Sequence, residues 1–297
     1  MPYIENMVGM NGKYMKKKEK FAEYKTYALV TGAASGMGKL YAAKLARRGY
    51  NLLLVDINAQ RLEDAAQEIR AEVASFEDSR KEWARDFDLV TMAQDLSAQD
   101  AASKVAAAAQ GKIVDVLINN AGIMFCKKTC ETSPKYLSLI MMLHCYTPLM
   151  LCREFVPGMI ARGRGYVLNI SSLAAWMEWP AIGMYGNTKR FVKGFSRSLR
   201  IECRGTGVSV TNAYFGAVDT PLVPLKPNLR KLARNLQVMI DADKATDKAL
   251  KAMFRKRKGT MPGFVNKIFF PFVIILPDCL LAWAMNKYGK YLYTKNC

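Results

Sequence analysis

The chain has 297 residues, 51% of them apolar, and carries 44 lysines and arginines against 25 acidic residues, a formal net charge of +19. Such an apolar content supports a large buried core and excludes global disorder, while the positive balance favours anionic partners: phosphorylated ligands, an acidic membrane surface or nucleic acid. Seven scattered cysteines without a Cys-x-x-Cys pair, and a single histidine, His144, give a structural metal site almost no footing and suit reduced thiols in a cytoplasmic protein.

A basic run, Lys13–Lys20, leads into Phe-Ala-Glu-Tyr-Lys rather than an apolar stretch, so no secretory signal is expected. Such a run is usually a solvated face; attraction to anionic lipid, worth ~1 kcal/mol per basic residue near the surface, is the alternative. Tyr27–Thr31 is a short β-type run ending in glycines, and Leu40–Arg48 carries helical periodicity. Asn51–Asp56 reads as a second buried strand, followed by a long polar helix from Ala59 to about Trp83. Leu89–Met92 and Val114–Asn119 supply two further strands, and Tyr166–Ile170 and Val208–Thr211 two more, each after a helix-like segment. Continuous apolar strands alternating with helices predict an α/β fold: a doubly wound parallel sheet covered on both faces, with ligands at the C-terminal strand ends. Near the C-terminus Ile268–Pro277 is ten apolar residues with two prolines, too short for the roughly 20 residues of a spanning helix.

The first strand runs into Thr31-Gly32-Ala-Ala-Ser35-Gly36-Met37-Gly38. Glycines at 32, 36 and 38 let the backbone turn sharply, approach a pyrophosphate and open a helix whose N-terminus attracts phosphate. The spacing departs from Gly-x-Gly-x-x-Gly, and by itself fits a plain glycine turn before a helix equally well. Asp56 ends the second strand about 20 residues on, where a carboxylate can hydrogen-bond a ribose 2′-hydroxyl and repel a 2′-phosphate. NAD(H) is therefore favoured and NADP(H) remains possible, since Arg47 and Arg48 are available to a phosphate; Asp56 is also placed to cap the next helix.

Ser172 ends a strand, where its hydroxyl can polarise a substrate oxygen. Tyr185 and Lys189, four apart, share one helix face, and a neighbouring ammonium brings a phenol with a reference pKa of about 10 towards the working range. Taken in order with Thr31–Gly38 and Asn119-Asn-Ala121-Gly122, these residues resemble the short-chain dehydrogenase/reductase superfamily over about residues 25–222. The resemblance implies that Tyr185 is the general acid/base, that Lys189 binds the nicotinamide ribose and lowers the tyrosine pKa, and that Ser172 orients the substrate oxygen while Ser171 is structural. It also implies adenine contacts at Asp95 and Leu96, an adenosine-side segment at Asn119, Ala121 and Gly122, and carboxamide contacts at Val218 and Thr220. Two positions depart from the pattern. His144 aligns with an asparagine that holds a relay water, so it either takes over the relay or is a packed helix histidine, with Cys145 the alternative in a shifted alignment. Phe215-Gly216 stands where Pro-Gly is common.

The implied organisation is a basic N-terminal extension over 1–24, a Rossmann-like catalytic domain over 25–225, and over 226–297 a substrate loop, a basic helix with Arg255–Lys258 and an apolar end. That layout is similar to the 17-beta-hydroxysteroid dehydrogenase and very-long-chain 3-oxoacyl reductase group. Phe269, Phe270, Phe272 and Trp283, flanked by Lys267 and Lys287, suit an interfacial anchor at the inner face of a membrane, a lid over an apolar pocket or packing on a partner subunit. The function implied is interconversion of a secondary alcohol and a ketone on a hydrophobic, steroid-like or long-acyl substrate. The rivals are a 3-oxoacyl carrier-protein reductase and a catalytically silent NAD-binding regulator. A homo-oligomer, dimer or tetramer, is expected through helices around 135–155 and 185–204. No recognition helix or aromatic-interleaved basic strand supports nucleic-acid binding.

Overall fold

The computed structural model describes residues 26–75, 86–176, 182–220, 231, 239–263 and 276–288. The Lys13–Lys20 run, the far end of the helix expected to reach Trp83, the loop after Thr220 and Phe269, Phe270 and Phe272 lie outside these residues.

Strand β1 (Thr26–Thr31) pairs in parallel with β2 (Asn51–Asp56) on one side and β4 (Ile113–Asn119) on the other; β3 (Leu89–Ala93) extends the β2 side. Beyond β4 follow β5 (Gly165–Ser172) and β6 (Val208–Phe215), and the sheet closes on β9 (Gly259–Thr260), giving the order β3-β2-β1-β4-β5-β6-β9. A separate two-stranded ladder joins β7 (Ala217–Val218) to β8 (Met239–Ile240). All these pairings are parallel, and strand residues alternate between the two faces. Ala28, Val30, Leu52, Leu54, Val116 and Ile118 feed one core, under α1 (Gly36–Ala46), α2 (Ala59–Ala74) and α7 (Ala242–Phe254). Leu29, Leu53, Val55, Leu117 and Val167 feed the other, with α3 (Ala101–Ala108), α5 (Thr147–Ala161) and α6 (Gly183–Glu202) against them. Central strands buried on both faces explain their unbroken apolar runs, each Leu or Val burial stabilising by roughly 1.5–3 kcal/mol.

The sequence marks α1 at Leu40–Arg48; the helix runs from Gly36, because the glycine turn itself supplies its first residue. Strands β7, β8 and β9 escape periodicity, since two residues carry no period. Residues 239–260, expected within an appended extension, are integral to the core: β9 pairs with β6, and Ala245, Ala249, Leu250 and Met253 of α7 pack on the sheet. Lys44 locks this arrangement, its buried ammonium 2.8 Å from Asp243 and 2.6 Å from Asp247 on α7. Short helix α4 (Pro134–Met141) continues through a π-helical turn at Met142–Tyr146 into α5. The combined stretch is long and apolar enough to cross a membrane, yet Leu151, Cys152, Val156 and Met159 bury against the sheet. The last described helix, α8 (Asp278–Tyr288), exposes Leu280 and Trp283.

Candidate active site

The strand order reverses between β1 and β4, the chain winding outward to β2 and β3 on one side and to β5 and β6 on the other, so their C-terminal ends open a crevice, the place where doubly wound sheets bind ligands. On its β1 wall Gly32 and Gly36 hold φ of +66° and +54°, conformations that favour glycine. Gly38 is held differently: a Cβ there would lie 1.9 Å from Gly32 O. Helix α1 begins here with no side-chain cap and no acidic residue in its first turn, Ser35 being exposed and Met37 partly buried. Its N–H groups are therefore left for an anion.

The Asp56 carboxylate accepts hydrogen bonds from Ala34 N and Asn58 N, both at 3.0 Å, and so steadies the glycine turn from the tip of β2. Asn58, rather than Asp56, caps α2, accepting from Arg61 N. Arg47 pairs with Glu72, and Arg48 donates to Lys44 O; both sit at the far end of α1, about 15 Å from the glycine turn at 1.5 Å per residue. Neither is placed for a 2′-phosphate beside Asp56. Exposed Asp95 accepts from Ser97 N and Oγ, while Leu96 is buried and its carbonyl accepts from Thr147 Oγ1.

On the β4 wall Thr31 Oγ1 donates to Ile118 O and accepts from Asn120 N and Ala121 N. Asn120, which the motif reading passed over, donates from Nδ2 to Thr31 O and Gly32 O, tying the two walls together. Its neighbour Asn119 faces the core, donating to Asn169 Oδ1 at 2.8 Å, so only its backbone is turned to the crevice. Gly122 lies against the His144 ring, which an added Cβ would meet at 2.8 Å.

Ser172, Tyr185 and Lys189 meet at the β5 end of the crevice. Tyr185 hydrogen-bonds Ser172, whose Oγ in turn donates to Phe215 O at 3.2 Å and accepts from Ala174 N. The Lys189 ammonium donates to Ile170 O at 3.0 Å and stands 5.6 Å from the centre of the Tyr185 ring. Burial pushes the tyrosine pKa up, opposed by the Ser172 hydrogen bond, so the phenol is neutral at pH 7. Burial lowers Lys189 to about 8, partly offset by the Cys145 thiol nearby. Ser171 donates to Lys189 O and serves the backbone. The edge of the His144 ring faces Tyr185 at 5.7 Å between ring centres; Cys145 lies over Thr188 O, with burial raising its thiol to about 11. Val218 is buried in the β7–β8 ladder, and Thr220, also buried, donates to Val218 O beside it. Phe215, in place of proline, is a core residue.

A glycine cradle that a Cβ would fill, an uncapped helix N-terminus and a carboxylate one strand away fit a dinucleotide. A family model described as short chain dehydrogenase matches residues 26–228. The very-long-chain 3-oxoacyl-CoA reductase-A of Danio rerio is 30% identical over 277 residues, 90% of this chain and 80% of that protein. The Bos taurus very-long-chain 3-oxoacyl-CoA reductase is 31% identical over 67% of this chain, which spans 62% of its length, under two thirds. The 17-beta-hydroxysteroid dehydrogenase type 3 of Danio rerio is 28% identical over 70% of this chain and 66% of that protein. Among solved structures, a short-chain dehydrogenase from Sphingobium yanoikuyae in complex with NADPH superposes with a TM-score of 0.69 at 22% identity, covering 92% of this chain and 98% of that one, and shares the fold. A match that runs from β1 past Thr220, through every element lining the crevice, means that the chain belongs to the short-chain dehydrogenase/reductase family and is an oxidoreductase of hydroxyl and keto groups.

Proposed function

We propose that the chain reduces the ketone of a hydrophobic substrate, a long-chain 3-oxoacyl thioester first and a ketosteroid second, with NADH as the preferred reductant. The observation that carries this is the placing of the Tyr185 phenol, hydrogen-bonded to Ser172, beside the Lys189 ammonium: an acid, an oxyanion donor and a cation gathered where a carbonyl oxygen becomes an alkoxide. The first relatives act, by their names, on 3-oxoacyl-CoA and on 17-beta-hydroxysteroids, which supports the substrate order. A nicotinamide bound at the crevice supplies the hydride. Ser172 holds the substrate oxygen, Tyr185 Oη delivers its proton to that oxygen, and Lys189 stabilises the phenolate left behind. Crevice walls fixed by Asn120 and Asp56 supply the proximity that makes the step effectively unimolecular.

Exposed Met141, Leu149, Ile160, Phe191 and Ile201, on the α4–α5 stretch and on α6, support a homo-oligomer formed through these helices. Exposed Leu280 and Trp283, the latter under the Lys287 ammonium at 5.1 Å, support peripheral contact with the inner face of a membrane by a cytoplasmic protein.

Steady-state reduction of a panel of 3-oxoacyl thioesters and ketosteroids with NADH and NADPH tests the proposal; turnover of no member by either cofactor contradicts it. Asp56→Asn keeps an acceptor for Ala34 N but removes the charge that repels a 2′-phosphate. Because like charges at close quarters cost several kcal/mol, the NADH-to-NADPH ratio of kcat/KM is expected to fall by roughly 100-fold. An unmoved ratio removes Asp56 as the selector. The pH profile follows from Lys189: catalysis needs a protonated phenol and a charged ammonium, and the ammonium is the first lost as pH rises. Reductive kcat/KM is therefore level near neutrality and falls as pH rises through about 8. A profile level to pH 10 contradicts the role given to Lys189.

A further inference from the structure

The His144 ring, 1% exposed, sits in the middle of the π-helical turn Met142–Tyr146 and touches two segments far from it in sequence. Its Nε2 is 3.0 Å from Ile123 N, in the loop that follows β4. Its Nδ1 is 2.9 Å from Thr188 Oγ1, the residue before Lys189 on α6, and Thr188 Oγ1 is 2.8 Å from Tyr185 O. The proton inventory admits one arrangement. A backbone N–H can only donate, so Nε2 presents its lone pair to Ile123. A carbonyl can only accept, so the single Thr188 hydroxyl proton goes to Tyr185 O, and the Thr188 oxygen is left to accept from His144 Nδ1–H. Both ends fix the same neutral tautomer. Gly122 lets the ring approach this closely, since a Cβ there would lie 2.8 Å from Nε2.

We infer that His144 and Thr188 form a latch that positions the helix bearing Tyr185 and Lys189 against the cofactor-side loop 120–123, and that His144 carries no proton in the reaction. Taking a proton at Nε2 would set a second donor against the Ile123 N–H; releasing one from Nδ1 would leave an anionic ring in a buried site. Either event breaks one of the two contacts, so a relay through this ring opposes the structure that holds it. The groups that face the ring agree with a neutral state: burial and the Lys189 ammonium both hold its pKa well below the usual 6.5, and the Tyr185 ring packs against it. The π turn serves the same end, because one extra residue in the helical turn, a feature often found at functional sites, swings position 144 into contact with both partners. A histidine in place of the relay asparagine expected here is thus a longer strut spanning two elements. The inference rests on the reductase reading for its kinetic consequences and on cofactor binding alone for its structural ones.

The test compares His144→Gln, His144→Leu, Thr188→Val and the double variant His144→Leu/Thr188→Val, with Tm as the check on folding. The readouts are cofactor Kd by fluorescence titration and, on a ketone that wild type accepts, kcat, KM and the pH profile. Glutamine donates towards Thr188 and accepts from Ile123 without titrating, so His144→Gln is expected to keep kcat within about threefold and to leave the pH profile where it was. His144→Leu and Thr188→Val strand buried polar partners and are each expected to lower kcat roughly tenfold or more and to weaken cofactor binding several-fold. Because both cut the same latch, the double variant is expected to lose no more than the worse single one. A folded, cofactor-binding His144→Gln as inactive as His144→Leu, with an altered pH profile, would establish a relay and overturn the inference, as would additive losses in the double variant. Should His144→Leu not fold, His144→Gln and Thr188→Val carry the comparison. Should wild type reduce no ketone, the reductase reading fails by itself, and the latch is still decided: cofactor Kd unchanged in Thr188→Val overturns it, whereas a Kd weakened there and preserved in His144→Gln upholds it.

Discussion

Tyr185→Phe is expected to lower ketone reduction by about 10²- to 10⁴-fold, the span that a positioned general acid contributes, while cofactor Kd changes by less than about twofold. The two halves of this outcome come from different atoms. Only the hydroxyl is removed, and it is the hydroxyl that hydrogen-bonds Ser172 and, in the proposed mechanism, gives its proton to the substrate oxygen. The ring stays, and with it the edge contact to His144 at 5.7 Å and the Lys189 ammonium at 5.6 Å from its centre. Lys189 also keeps its hydrogen bond to Ile170 O, so the group expected to hold the nicotinamide ribose remains in place. Paired measurements of turnover and fluorescence-monitored cofactor binding read both halves. A variant that still turns over within tenfold of wild type removes Tyr185 from the chemistry. A variant that binds no cofactor shows that the hydroxyl is structural.

Gly38→Ala is the second change with a large expected effect, this time on binding. Its Cβ would stand 1.9 Å from Gly32 O, 2.7 Å from Gly32 C and 2.8 Å from Asn120 Nδ2. The first two are backbone atoms, so no side-chain rotation relieves the overlap and the glycine turn itself must move. Gly32 has little room to yield, because its N–H is bonded to Val55 O at 2.8 Å, its own Cβ position is 2.9 Å from Ala121 Cα, and its carbonyl accepts from Asn120. Displacing this turn misaims the N–H groups of α1 proposed to receive the cofactor pyrophosphate. Cofactor Kd is expected to rise by two orders of magnitude or more, with Tm lowered by several degrees, since overpacking a tight site costs typically 1–3 kcal/mol. Isothermal titration with NADH and a thermal melt check both numbers. Wild-type affinity in this variant removes the glycine turn from the cofactor site.

Much of this molecule is legible along the chain because the signals are local. Five or six consecutive apolar residues, a turn of glycines, and a tyrosine and lysine one helical turn apart are specified by neighbours in sequence, and the strands β1, β2, β4 and β5 stand within a residue or two of where those runs place them. Other features have no local signature. The ladder of β7 and β8 and the closing strand β9 are two residues each, too short for alternation to register; β9 forms on backbone that the longer β6 offers, and β7 and β8 form because the fold brings each to the other. Lys44 looks like an ordinary helix lysine until α7 brings Asp243 and Asp247 to it across some 200 residues of chain.

Consecutive letters point to the doubly wound α/β architecture and to an oxidoreductase of hydroxyl and keto groups, and they single out the glycine turn, Asp56 one strand away and Ser172, Tyr185 and Lys189 as the proposed site. What surrounds those residues depends on the folded chain. It turned Asn119 into the core and gave Asn120 the task of joining the crevice walls; it carried Arg47 and Arg48 to the wrong end of α1 for a phosphate; and it enclosed the His144 ring between Ile123 and Thr188. The division has one physical cause. Periodicity and turn chemistry act over a few residues and are written in consecutive letters, whereas burial, pKa and hydrogen-bond partners depend on which distant segments the fold brings within about 3 Å.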